Sequence, residues 1–166
     1  MAIYFFDTSA LVKRYALEDG RLWVQSITGP TAANRIYMAR ITGAEVIAAV
    51  KVKERERHIT AADAAKVIAD FRYDFTNQYQ IIEITDTVVT KAMLLIETHV
   101  LKGYDGVQLA AAVEIHNLLT AIGMPALGAA GLTLVAADKQ LNSAALAEGL
   151  TVENPENHLD TKDKIP

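Results

Sequence analysis

Ile3-Tyr4-Phe5-Phe6-Asp7 decides the fold. An unbroken apolar run this short reads as a strand buried on both faces, and the carboxylate that ends it stands where α/β proteins place their chemistry. Three more acids repeat the theme: Glu45 interrupts the apolar face of the stretch from Ile41 to Ala49, Asp105 opens Asp-Gly-Val-Gln-Leu-Ala-Ala-Ala-Val, and Asp138 closes Leu132-Thr-Leu-Val-Ala-Ala. Four carboxylates aimed inward repel one another unless a cation neutralises them, so the set points to hydrolytic metal chemistry.

Working outward from that strand, placed at residues 2–6, helix and strand signals alternate. Thr8 to Ala16 reads as a short helix, and an amphipathic piece follows Gly20 through Ile27. Thr28 to Asn34 is a loop, and a long helix runs from about Ala39 to Arg57, with a charge-rich end. Thr60 with Asp63 makes a capping-box start for a helix to about Phe75. Gln80 to Ile84 is a strand, Thr85 or Asp86 caps a helix to Leu101, and the helix opened by Asp105 continues to Leu119. Leu132 to Ala136 is a buried parallel strand, Lys139 to Ala147 a short helix stopped by Gly149, and Leu150 to Val152 a final strand. The alternation predicts one α/β domain over residues 1–152, a central, mostly parallel sheet flanked by helices, with a polar tail over 153–166 that forms a strap or a frayed end.

The composition narrows the chemistry. With 166 residues and a hydrophobic fraction of 51%, the chain is long enough to bury a substantial core. Sixteen basic against twenty acidic residues give a net charge of −4, which argues against a uniformly basic nucleic-acid coat and leaves local cations to hold any anionic substrate. There is no cysteine, so disulfides, zinc–thiolate sites and thiol nucleophiles are excluded. No signal peptide is read, which points to the cytoplasm. The uncharged stretch from Leu118 to Ala137 has the length of a membrane span, but Gly123, Pro125, Gly128 and Gly131 divide it into helix end, turn and strand.

Each acid has a structural alternative. Asp7, Asp105 and Asp138 all stand where helices begin, and aspartate is a favoured N-cap; for Asp105, Gln108 would complete a capping box. Glu45 has no such explanation, since it stacks with Ile41, Ala48, Ala49 and Val52, and its alternative is an ion pair with Arg40 or Lys13. The joint occurrence of the four favours a common site. Ser9, two residues from Asp7, is placed to hydrogen-bond a carboxylate there or to satisfy a helix-start donor. The four histidines are scattered without metal-pair spacing, and there is no glycine-rich phosphate loop.

Asp7-Thr-Ser-Ala-Leu-Val-Lys-Arg-Tyr, Arg40-Ile-Thr-Gly-Ala-Glu45, Gly103-Tyr-Asp105-Gly-Val-Gln-Leu-Ala-Ala-Ala and Val135-Ala-Ala-Asp138-Lys-Gln-Leu resemble the PIN domain, in particular its VapC-like toxin branch, from Ile3 to about Val152. The resemblance implies a metal-dependent ribonuclease in which Asp7, Glu45, Asp105 and Asp138 are the catalytic and metal-binding set around Mg²⁺ or Mn²⁺, with Ser9 in support. It also implies a homodimer and a small cognate antitoxin. Two positions depart from the pattern: Ala136 stands where many relatives have Ser or Thr, and Asn142 where some carry a further acid, leaving Asn142 as a supporting residue beside four acids rather than five. Lys13, Arg14, Arg40 and Lys139 flank the acidic motifs and are expected phosphate contacts for an RNA substrate. A haloacid-dehalogenase-type phosphohydrolase would need an acid at Ser9, and the remaining alternative is a non-catalytic RNA- or protein-binding domain of the same fold.

Overall fold

The Ile3–Phe6 run forms β1, the middle strand of a parallel sheet. The computed structural model describes residues 1–123 and 131–158, so the turn expected through Pro125 and Gly128 and the end of the tail lie outside the described residues. The other strands are β2 (Arg35–Ala39), β3 (Gln80–Ile82), β4 (Leu132–Val135) and β5 (Thr151–Glu153), in the order β3-β2-β1-β4-β5 with every pairing parallel. The helices are α1 (Thr8–Leu11), α2 (Arg21–Thr28), α3 (Thr42–Arg55), α4 (Ala61–Asn77), α5 (Asp86–His99), α6 (Gly103–Ala121) and α7 (Lys139–Ala147). The expected α/β architecture therefore forms. No helix of the described residues is long and apolar enough to cross a membrane.

Period-two alternation sends successive strand residues to opposite sides. Ile3 and Phe5 of β1, Ala39 of β2 and Leu132 and Leu134 of β4 pack with α5, α6 and α7 through Leu95, Leu109 and Leu141. Phe6, Ile36, Met38 and Val135 pack on the other side with Leu11, Val24, Val46 and Phe71 of α1 to α4. Both faces are covered, which is why β1 and β4 read as continuous apolar runs. The strand order reverses at β1, since the chain moves from β1 outward to β2 and β3 and then returns to β4 on β1's other edge. In open parallel sheets such a reversal is where ligands bind, beyond the carboxyl ends of the strands, here those of β1 and β4.

Several boundaries differ from the sequence reading. Strand β2 was not expected: Arg35 to Ala39 pairs with β1 and β3, and α3 starts at Thr42 rather than at Ala39. Helix α3 buries Thr42, Val46 and Val50, so its inward stripe is offset by one residue from the expected Ile41, Glu45, Ala49 and Val52, and Glu45 lies at its edge. The segment after Asp7 is α-helical only to Leu11 and continues as a 3₁₀ turn, Val12–Arg14. Helix α5 stops at His99, because Val100 takes a left-handed φ of 54°. Helix α6 begins at Gly103 with Lys102 at its N-cap, so Asp105 lies within the first turn and is not the cap. The Thr60–Asp63 capping box of α4 and the Thr85 cap of α5 form as read.

Beyond β5, a 3₁₀ turn at Pro155–Asn157 straps the chain back onto α2. Pro155 is buried against Gly20, whose φ is +81° and where a Cβ would meet the Pro155 carbonyl oxygen at 2.2 Å, so glycine is required there. His158 stacks flat on Trp23 with ring centroids 4.1 Å apart.

Candidate active site

The parallel register carries Asp7 and Asp138 to the same edge. Phe6 pairs with Val135, and the Asp7 amide continues the ladder by donating to the Val135 carbonyl at 3.0 Å. Asp7 Oδ2 then accepts the Ser9 amide at 2.9 Å and the Ser9 hydroxyl at 2.5 Å, capping α1. The same hydroxyl accepts the Ala137 amide at 3.0 Å, so Ser9 ties the ends of β1 and β4 together. Asn142 secures that turn from behind by donating from Nδ2 to the Ala136 carbonyl at 2.8 Å, while its Oδ1 is buried without a partner. Asp138 caps α7, its Oδ1 accepting the amides of Gln140 at 2.8 Å and Leu141 at 2.9 Å.

Glu45 comes to this group from α3. Its Oε2 accepts the Thr8 hydroxyl at 2.7 Å and Gln108 Nε2 at 2.8 Å. The ion pair suggested as its alternative does not form: Arg40 pairs with Glu83, and Lys13 with Glu18 and Glu156. Gln108 likewise does not close a capping box, because it lies buried inside α6 and points to Glu45, Thr42 and Thr8.

The electrostatics couple the acids. Asp7 is 6% exposed, and burial pushes its carboxyl up; the Ser9 hydrogen bonds offset part of this and the charge of Glu45 adds to it. Asp105 is also raised, by burial first and then by the charges of Asp7 and Asp138, against a lowering influence from Lys102. Repulsion thus links Asp7 to Glu45, and Asp105 to both Asp7 and Asp138. Among the described residues no three acids or histidines converge closely enough to enclose a metal by themselves. Mg²⁺ does not require that, since it takes one or two carboxylates and keeps several waters. A buried aspartate opposed by its neighbours' charges is a donor set that suits such a hydrated cation.

The expected phosphate contacts separate into two groups. Lys13 is 4% exposed and bridges Glu18 at 3.3 Å and Glu156 at 3.2 Å, so it joins the C-terminal strap to the 3₁₀ turn and faces no substrate. Arg14 is turned inward as well, paired with Asp74 at 3.0 Å and donating to the Thr28 carbonyl. Arg40, directly after β2, is on the surface in its pair with Glu83, and Lys139 is exposed beside Asp138. Sequence reasoning missed Thr8, Thr42 and the orientation of Gln108. The available signal was a glutamine set in the otherwise apolar run from Gly106 to Val113.

No protein-family model matches the chain. It is similar to Ribonuclease VapC45 and Ribonuclease VapC49 of Mycobacterium tuberculosis, in each case 31% identical over 153 residues, which are 92% of this chain and 95% of the relative. Among solved structures it is similar to the toxin-antitoxin complex from Klebsiella pneumoniae, with a TM-score of 0.56 and 20% identity over 93% of this chain and 98% of that one. It is also similar to FitAcB from Neisseria gonorrhoeae, with a TM-score of 0.56 and 16% identity over 92% and 97%. The likeness to these structures is one of overall α/β fold. With Asp7 and Asp138 at the ends of β1 and β4, and with relatives 31% identical over nearly the whole of both chains, the chain belongs to the VapC ribonuclease family of PIN-domain proteins.

Proposed function

We propose that this protein is an endoribonuclease that hydrolyses RNA phosphodiester bonds with Mg²⁺ or Mn²⁺, and that it is the toxin of a toxin–antitoxin pair. The observation that carries the metal-dependent chemistry is the buried Asp7 carboxyl, raised by desolvation and by Glu45, beside an Asp105 raised in turn by Asp7 and Asp138. Asp7 and Asp105 would hold the ion, with Glu45 and Asp138 completing the shell directly or through water. When bound, a divalent ion supplies Lewis-acid polarisation of the phosphate and acidifies a water.

The chain's own residues do the rest. Ser9 fixes Asp7 and the strand ends, Asn142 fixes the turn before Asp138, and Thr8 with Gln108 fixes Glu45. Lys139 and Arg40 are the phosphate contacts left on the surface, Arg40 by exchanging an exposed partner that screening already weakens. The named relatives are ribonucleases, and the similar structures include a toxin-antitoxin complex, which supports RNA as substrate and a cognate antitoxin as partner. An acidic pocket would accept an Arg or Lys from such a partner. Val89, Met93 and Val100 lie exposed at helical spacing along α5 and past its end, an apolar stripe that supports a homodimer.

The test is cleavage of RNA in Mg²⁺, Mn²⁺ and EDTA, alongside melting. Cleavage should require metal, and Mn²⁺ should raise the melting temperature of the wild type but not of an Asp7→Asn/Asp105→Asn variant. Equal shifts in both proteins would remove the metal assignment, and metal-independent cleavage would remove the mechanism. Co-purification with the product of the neighbouring gene and sedimentation at micromolar concentration test the antitoxin and the dimer.

A further inference from the structure

Gln108 is 1% exposed, a polar side chain among the apolar residues that α6 buries. Its Nε2 has two hydrogens and spends them on Glu45 Oε2 at 2.8 Å and Thr42 Oγ1 at 2.9 Å, with Thr8 Oγ1 a longer contact at 3.4 Å. Thr8 in turn donates to the same Glu45 oxygen at 2.7 Å. On the other side of the amide, Gln108 Oε1 is buried and accepts nothing. Turning the amide over would set Oε1 against the Glu45 carboxylate, oxygen against oxygen, so the orientation that leaves one acceptor unpaired is the one that aims a donor at Glu45. A residue kept here only for packing would be apolar and would leave no unpaired acceptor.

We infer that Gln108 is a positioning residue: with Thr8 it pins Oε2 of Glu45 and leaves Oε1 as the oxygen available to the cation or its waters. This rests on the proposed function and adds residues that act through Glu45 rather than on the substrate. Gln108 lies one turn beyond Asp105 on α6, so the same latch fixes the helix that carries Asp105 to the helix that carries Glu45. Pinning matters because glutamate has several rotatable bonds, and ligands held loosely bind metal weakly. Removing an outer partner of a metal-site residue typically lowers affinity or rate about 10–100-fold.

The experiment uses the full chain with two substitutions, Mn²⁺ as the metal probe and a pool of mixed-sequence quenched-fluorophore RNA oligomers as substrate. Gln108→Leu should weaken Mn²⁺ binding by calorimetry about 10-fold or more and lower kcat comparably, while KM changes less than about 2-fold. Its melting temperature in EDTA should change little, because the unpaired acceptor is gone while Glu45 and Thr42 each lose a donor. Thr42→Val removes the second anchor of the amide without touching Glu45, and should shift Mn²⁺ affinity and kcat in the same direction by less. A purely structural role predicts the reverse, a lower melting temperature in EDTA with Mn²⁺ affinity and kcat unchanged, and that result overturns the inference. Should Gln108→Leu fail to fold, unchanged Mn²⁺ affinity in Thr42→Val overturns it. A wild type that binds Mn²⁺ but cleaves none of the RNA refutes the ribonuclease reading alone, and the Mn²⁺ comparison still decides the latch.

Discussion

Asp7 stands at the end of the core strand and opens a helix in the same atoms, and this double duty sets how it titrates. Its folded pKa lies above the ordinary carboxylate value, so the native state holds the proton more tightly than the unfolded chain does. Stability in EDTA is therefore lost as pH rises from about 3.9, the unfolded value, through the raised folded value, and the whole loss is present above it. Asp7→Asn keeps an acceptor for the Ser9 amide and has no such charge. The difference in melting temperature between variant and wild type should grow in the variant's favour as pH rises through that window. A difference flat with pH would mean that Asp7 titrates as an ordinary surface acid. At this scale the four acids stood out in the sequence because each follows, interrupts or opens an apolar run. Lys13 and Arg14 were not, because a long cation beside an acidic motif looks the same whether it faces substrate or folds inward. Only the packing brings Glu156 to Lys13 and Asp74 to Arg14.

Among elements, the join between the 3₁₀ turn after α1, α2, α4 and β3 rests on one polar network. Arg14 pairs with Asp74, the Tyr15 hydroxyl bonds Asp74 and the Tyr79 hydroxyl, each at 2.7 Å, and Gln78 accepts from Arg14. Burial raises both phenols, Tyr79 to about 12 and Tyr15 further, so neither ionises near neutrality. Arg14→Leu strands a carboxylate whose side chain is 15% exposed, and should cost about 3 kcal/mol in chemical denaturation. Adding Asp74→Leu should recover part of that loss; no recovery would show that Arg14 acts through packing alone. Long helices and strands β1 and β4 were readable because their periodicity is sustained. Strand β2 was not: Arg35-Ile-Tyr-Met-Ala is short, follows a turn-rich stretch, and runs into the helix formers of α3. Its identity as a strand comes from pairing with β1 and β3 on both edges, a tertiary fact that local propensity does not carry.

At the scale of the whole molecule, the C-terminal strap and the N-terminal motif fasten each other. Glu156 satisfies the buried Lys13, Pro155 covers Gly20, and His158 lies on Trp23, the sole tryptophan. Gly20→Ala puts a methyl into the Pro155 carbonyl at a left-handed φ and should cost at least about 1–3 kcal/mol. Release of the strap should also change Trp23 emission before global unfolding; coincident transitions would mean that strap and sheet unfold as one unit. The sheet order has a further consequence for how the protein is made. β1 lies between β2 and β4, and β4 begins at Leu132, so the residue that opens the acidic group and the residue that closes it are separated by most of the chain. During translation Asp7 emerges well before Asp138, the β4 edge that receives Asp7, and Glu156. A nascent chain therefore carries no assembled acidic group until β4 and α7 have followed β1 out of the ribosome, and no working copy exists while only the first half of this fold has emerged.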